Sequence, residues 1–435
     1  MELYNLVSFF GIFIILLISW GFSHNRKVIN WNVIGYGLAI EMLFALFIFV
    51  LPEGAKFFEF INTVVVKVLD SAKAGTEFLF GRLALSPGAV NAQGETSLGF
   101  ILAIQALPTI IFFAALVQIL YYYRVLPFII KKFAFFFTKF MKVSGAESLC
   151  VSSNIFVGIE ASLTIRPHLK NFTKSEFFTI LTAGMATIAS SMLALYVYIL
   201  HQEFPQIAGH LVSASILSAP AALIISKLMF PETELPKTLG VNIDPDYEKE
   251  SNVIESTVNG ANSGLKLLLG IMALLLAFLG IIALIDLIIS FPGGWINELL
   301  RTNIDWSLKA LFGYLFYPLT LIIGVPLEDA FAISKIIGER LVATEVQSYI
   351  DLKLLIASGQ ELSPRSIVIC TYALCGFAHF ASLAIFVGGI VAIVPERTKD
   401  ITALGLKALV AATFACLLTA SIAGTFFNNA SILIQ

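Results

Sequence analysis

The chain has 435 residues, of which 58% are hydrophobic and 13% charged, with a formal net charge of −2. A soluble domain carries about 25% charged residues, so this composition excludes an ordinary soluble fold. With no basic face outside short loops it also excludes a nucleic-acid binder. The apolar residues gather in runs of about 18 to 28, long enough to cross a hydrocarbon layer of about 30 Å as helices.

In chain order, spanning helices are expected at 4–22, 33–51, 98–122, 177–201, 209–230, 264–291, 366–393 and 403–431. Met1-Glu2-Leu3-Tyr4 runs into the first apolar stretch without a basic leader or a small-x-small cleavage site. It therefore reads as the start of a span rather than a signal peptide. Segment 55–82 carries Lys56, Glu59, Lys67, Asp70, Lys73 and Glu77 and reads as an amphipathic surface helix. Segment 125–142 reads the same way, with Lys131, Lys132, Lys139 and Lys142 set among phenylalanines. The longest polar stretch, 231–262, contains Pro231, Pro236, Pro245 and many acids and is expected to be a loop. Cys150, Cys370, Cys375 and Cys416 have apolar neighbours and no CxxC spacing, so they read as small buried hydrophobes.

Orientation follows from the basic loops. His24 to Lys27, the lysine-rich surface helix, Arg166 to Lys174 and Arg397 to Lys399 fall on one side, the cytoplasmic one. Loops 202–208 and 292–300 hold no Lys or Arg, and both termini come out on the far side.

Two segments do not fit as spans. Residues 145–170 are rich in Gly, Ser and Asn and contain Glu147 and Glu160, while 324–357 contain Glu328, Asp329, Glu339, Arg340 and Glu345. Each begins and ends on one side, the first cytoplasmic and the second external, so both are expected to be re-entrant hairpins. Each is followed by a span interrupted by small and polar residues, Ala183 to Ser191 and Cys375 to Ser382. Hairpin-plus-broken-helix units of opposite entry mark an inverted-repeat transporter. The expected fold is thus an all-α polytopic membrane protein with eight transmembrane helices, two re-entrant hairpins and amphipathic interfacial helices. Its expected parts are N-terminal scaffold helices (1–97), a first repeat (98–230), a polar loop (231–263), a scaffold or oligomerisation helix with an interfacial helix (264–323), and a second repeat (324–435).

Glu160 and Glu345 are the central chemical features, because a carboxylate at membrane depth is costly unless it is paired or hydrated. The alternatives are a ligand-holding role at a hairpin tip, or a cap or an ion pair with Arg166 or Arg340. Asn154 and Thr187 either offer oxygens to a small cation, with carbonyls near Val157 and Ile188, or make interhelical hydrogen bonds. His379 either donates to a ligand, relays a proton or pairs with a polar neighbour. Phe377 either faces a planar ligand or packs. The five histidines do not cluster with cysteine or aspartate in an enzymatic motif, and a repeated pore-lining pattern is lacking.

From about Leu98 to Gly424 the chain resembles the concentrative nucleoside transporter family. The likeness is carried by Leu107-Pro108-Thr109, Ser144-Gly145-Ala146-Glu147-Ser148, Asn154-Ile155-Phe156-Val157-Gly158 with Glu160, Gly184-Met185-Ala186-Thr187, Thr371 to Ala378, Pro395-Glu396-Arg397 and Leu404 to Leu409. The resemblance implies an inner-membrane homotrimer of elevator-type symporters among the membrane lipids, importing a nucleoside-like solute with sodium, or with protons as some members do. It implies sodium at Asn154, Val157, Thr187 and Ile188, the base at Glu160 and Met192, and the ribose at Glu345, Phe377 and Ser382. The family's Gly-Gln-Thr-Glu tip is Gly158-Ile159-Glu160 here, its Asn-Glu is Thr344-Glu345, a lysine is Arg340, and an asparagine of the last broken helix is His379. The ion positions survive better than the ligand readers, so a modified nucleoside or another ribose-like solute is expected.

Overall fold

Strong apolar periodicity and frequent side-chain caps make this chain helical almost throughout. The computed structural model describes residues 3–91, 94–246, 250–359 and 361–429. Residues 430 and 431, the end of the last predicted span, lie outside them, as do Met1 and Glu2. Among the described residues the only extended pairings are two isolated β-bridges. The helices are α1 (Leu3–Gly21), α2 (Trp31–Phe49), α3 (Pro52–Phe80), α4 (Leu102–Gln105), α5 (Thr109–Tyr122) and α6 (Val125–Met141). Next come α7 (Gly145–Asn154), α8 (Lys174–Ala186), α9 (Ser190–Leu200), α10 (Ile207–Met229), α11 (Val253–Leu300) and α12 (Leu308–Ile322). The chain continues with α13 (Leu327–Ala343), α14 (Glu345–Ala357), α15 (Pro364–Leu374), α16 (Phe380–Ile393) and α17 (Thr398–Phe426).

Seven helical stretches among the described residues are long and apolar enough to span a membrane. The eighth expected span, 366–393, is present as the shorter pair α15 and α16. Three expectations need correction. The polar loop ends earlier than expected, because Asn252 accepts a 2.9 Å hydrogen bond from the Glu255 amide and starts α11 at Val253. At its other end α11 absorbs the expected loop 292–300, passing through Pro292 to close at Leu300. Its 48 residues reach about 72 Å. The third correction concerns the first hairpin, whose returning arm is 3₁₀-helical (Ile159–Ile165) rather than α-helical. There Ser162 and Thr164 donate to the carbonyls of Ile159 (2.7 Å) and Ala161 (2.6 Å), bonds that compete with an α-helical ladder.

The interior is built on α10 and α17, which pack against each other and against α8 and α15. By contrast α11 is mostly exposed along its apolar length and packs on α5. Gly260 and Gly264 permit that approach: an added Cβ would lie 2.6 Å from Ala115 Cα and 2.7 Å from Ile111 Cα, respectively. This is small-xxx-small packing, in which close backbones replace the hydrophobic drive that lipid cannot supply.

Candidate functional site

The hairpins are fixed at their roots by buried carboxylates. Ser144 and Glu147 form a capping box at the start of α7, and the free side of Glu147 pairs with buried Lys227 of α10 at 2.8 Å. In the second hairpin Asp329 accepts from the Ser363 amide (3.0 Å) and the Ser366 hydroxyl (2.6 Å), tying α13 to α15. Lys309 of α12 bridges Glu339 and Asp351, one on each arm. These anchors leave the tips to do other work.

Thr344 alone joins α13 to α14, with φ at +101°. A β-branched residue is strained there, and its buried hydroxyl has no partner among the described residues. The next residue, Glu345, is fully buried and opens α14. Tyr196 of α9 donates to one carboxylate oxygen at 2.5 Å, and Tyr196 stacks on Tyr349 with ring centroids 4.4 Å apart. The other oxygen lies 2.9 Å from His379 Nε2, close but poorly aligned for a hydrogen bond.

His379 is held by its own cap. Its Nδ1 accepts from the Ser382 amide (3.1 Å), while the Ser382 hydroxyl accepts from the His379 amide and donates to the His379 carbonyl. With Nδ1 committed as an acceptor, the hydrogen-bond pattern assigns the imidazole proton to Nε2, toward Glu345. Half-buried Phe377 stands edge-on to the imidazole at 4.6 Å. Arg340 completes this break from the opposite end, donating to the Ala373 carbonyl at 2.5 Å. There its charge meets the negative end of the α15 dipole.

The two helix breaks meet. The Phe377 amide in the second donates to the Thr187 carbonyl in the first at 3.3 Å. A Cβ on Gly376 would lie 2.4 Å from Cys416 Sγ and 2.9 Å from the Ala186 carbonyl, so glycine makes the contact possible. The first hairpin joins the same point through the Ser190 amide, which donates to the Phe156 carbonyl at 2.9 Å.

Around this junction lie oxygens with no donor. Asn154 donates to the Cys150 carbonyl at 3.1 Å, but its buried Oδ1 is unpartnered. The carbonyls of Val157 and Ile188 accept no hydrogen bond among the described residues. The Thr187 hydroxyl donates back to Ala183 at 2.8 Å and keeps its lone pairs. Such a set of neutral oxygens suits a small hard cation.

Of the residues singled out from sequence, Glu345, Phe377, His379 and Ser382 are brought together, and Asn154, Val157, Thr187 and Ile188 flank the first break. Met192 is buried in the first turn of α9. Glu160 stands apart: it is exposed, with no ion pair to Arg166 or any other residue among those described. Arg340 likewise does not pair with Glu345. Ile159, at the family's reader position, packs instead against Gly389 of α16, where its Cδ1 would lie 2.1 Å from an added Cβ. Tyr196, Tyr349 and Arg340 as a helix cap were not singled out. The available signal was a phenol four residues after Met192, on the same helical face.

Comparison with known proteins agrees with this architecture. Family profiles match residues 10–83 (Na+ dependent nucleoside transporter N-terminus), 103–203 (nucleoside recognition) and 210–424 (Na+ dependent nucleoside transporter C-terminus). An uncharacterized transporter of Haemophilus influenzae is 38% identical, the match covering 97% of this chain and 98% of that protein. The nucleoside permease NupC of Helicobacter pylori is 35% identical, with 98% of each chain covered. The sodium/nucleoside cotransporter 1 of Rattus norvegicus is 31% identical over 97% of this chain, which spans 64% of that longer protein. The solved structure of CNTnw in an inward-facing substrate-bound state superposes with a TM-score of 0.87 at 33% identity, covering 98% of each chain. The chain belongs to the Na+ dependent nucleoside transporter family and is a multi-pass membrane transporter, not an enzyme.

Proposed function

We propose that this family member imports a ribose-bearing solute together with sodium, its hairpins and broken helices moving as a unit between outward- and inward-facing positions. The observation that carries the reading is the junction of the two breaks, with buried unpartnered oxygens on one side and the Tyr196–Glu345–His379 cluster on the other. Sodium is cargo here, held by Asn154 Oδ1, the Thr187 hydroxyl and the carbonyls of Val157 and Ile188. Glu345 accepts from the ribose hydroxyls, His379 and Phe377 border that site, and Ser382 positions His379. Met192 and Glu160 flank the base. With Ile159 committed to packing on Gly389, the base is read by fewer polar groups, which favours a modified nucleoside over plain uridine. Proton coupling is the second reading and rests on the His379–Glu345 contact. The membrane is the cell inner membrane, with both termini outside. The exposed apolar flank of α11 supports assembly as a homotrimer.

The test is uptake of a nucleoside panel into proteoliposomes, with sodium or choline outside at constant pH. Sodium-dependent uptake that Asn154→Ala weakens about tenfold or more in its sodium requirement is the expected result. Uptake that persists in choline and follows a proton gradient overturns sodium coupling. Uridine transport at ordinary micromolar affinity overturns the altered specificity.

A further inference from the structure

The interfacial helix α6 carries features that transport itself leaves unused. Its inner face, including Ile130, Ala134, Phe137 and Met141, is buried. Its outer face presents Phe128, Phe135, Phe136 and Phe140, all exposed, interleaved with lysines. Lys132 lies 5.3 Å from the Phe128 ring and Lys139 lies 5.4 Å from that of Phe135. Lys131 pairs with Asp244, but Lys132, Lys139 and Lys142 have no carboxylate partner among the described residues. Aromatic rings and unpaired lysines on one helix suit the boundary between acyl chains and anionic headgroups.

A cleft of about 480 Å³ opens between the end of α6 and the linker that follows α10. Phe135, Thr138, Lys139 and Lys142 form one wall; Leu239, Gly240 and Asn242 form the other. One further observation points to a ligand. Thr138 is 4% exposed, and its hydroxyl has no hydrogen-bond partner among the described residues. Lys142, which closes α6 in the left-handed conformation common at helix C-termini, also lines the cleft. The other flank of α6, through Lys132, Phe133, Phe136 and Phe137, lines an apolar cavity of about 420 Å³ shared with α2 and α10. An anion with an acyl chain fits such surroundings better than a free ion does.

The linker wall is joined to the root of the first hairpin. The Gly145 amide donates to the Thr238 carbonyl (2.8 Å), the Gly240 amide to the Val143 carbonyl (3.3 Å), and Ser144 and Leu239 form a β-bridge. A group bound in the cleft would therefore link α6, the linker and the start of α7.

We propose that this cleft is a binding site for the phosphate headgroup of an anionic phospholipid, held by Lys139 and Lys142 with Thr138 and Asn242, its chains lying along the phenylalanine face of α6. The test is thermal unfolding of the purified full-length transporter titrated with short-chain phosphatidylglycerol, short-chain phosphatidylcholine or inorganic phosphate. Phosphatidylglycerol should raise the unfolding midpoint saturably and the other two should not. Lys139→Gln with Lys142→Gln should weaken the phosphatidylglycerol response roughly 30-fold, from the worth of two basic side chains at an anionic surface. Both lysines are exposed, so the double variant should fold, and Lys67→Gln with Lys73→Gln on α3 serves as the charge control. An equal response to phosphatidylcholine, or an undiminished response in the α6 variant, overturns the site. Saturation by inorganic phosphate alone overturns the lipid assignment, and an equal loss in the α3 control overturns its specificity.

Discussion

Replacing Glu345 by glutamine separates charge from shape at the second hairpin tip. The carboxylate receives the Tyr196 hydroxyl at 2.5 Å on one oxygen and faces His379 Nε2 at 2.9 Å on the other. Because Nδ1 of His379 accepts from the Ser382 amide, Nε2 carries the proton and can only donate. A glutamine can turn its carbonyl to His379 and its amide to Tyr196, whose hydroxyl then accepts. The fold therefore tolerates the change, and losing a fully buried charge removes a desolvation penalty as well. Glu345→Gln should leave the unfolding midpoint within about 3 °C of wild type. Substrate binding should suffer far more. A hydrogen bond to a charged group contributes about 1.5–3 kcal/mol, so loss of one to a ribose hydroxyl weakens affinity roughly 10- to 150-fold. Equilibrium binding of the transported nucleoside, measured beside thermal unfolding, checks both parts. Affinity kept within about threefold would remove Glu345 from the ligand site. A large fall in the midpoint would refute the tolerance and show that the junction's stability depends on the carboxylate charge.

Gly376→Ala should cost about 1–3 kcal/mol by overpacking the junction, since the new Cβ would meet Cys416 Sγ at 2.4 Å. Adding Cys416→Ala should restore part of that loss, and a double-mutant cycle of unfolding measures how much. Lys227→Met should destabilise by about 3–5 kcal/mol, because Glu147 would remain charged and buried. Combining it with Glu147→Gln should recover much of this, as read from the same unfolding curves.

Much of the fold was legible because lipid simplifies the code. Spans must be apolar and helical, so the runs read directly from the sequence, and the Gly-, Ser- and Ala-rich interruptions stood out against them. What escaped depends on local caps or distant contacts. Asn252 and Glu255 start α11 within a polar stretch, where hydropathy gives no sign of a helix, although an Asn followed three residues later by Glu is a start signal. The 3₁₀ arm follows from Ser162 and Thr164 bonding to their own backbone, a choice that composition cannot distinguish from an α-helix. Tyr196 and Glu345 are 149 residues apart, and nothing in either neighbourhood names the other.

The same physics explains why the candidate site sits where it does. A break in a membrane helix frees amides and carbonyls that water cannot reach, each costing several kcal/mol if left alone. Here the breaks satisfy part of that need themselves. Phe377 donates to Thr187, Ser190 donates to Phe156, His379 caps α16 and Arg340 caps α15. The satisfaction is uneven. Several freed donors find acceptors, but among the described residues the amides of Ile188, Ala189 and Ala378 do not, and Asn154 Oδ1 and the carbonyls of Val157 and Ile188 find no donor. Oxygens left without a donor in an apolar interior are what a bound cation satisfies, whereas a neighbouring serine or threonine hydroxyl could have satisfied them within the fold. The Thr187 hydroxyl, the nearest candidate, is instead spent on Ala183. The unpartnered oxygens are therefore a property of the junction as folded, and they gather beside the first break.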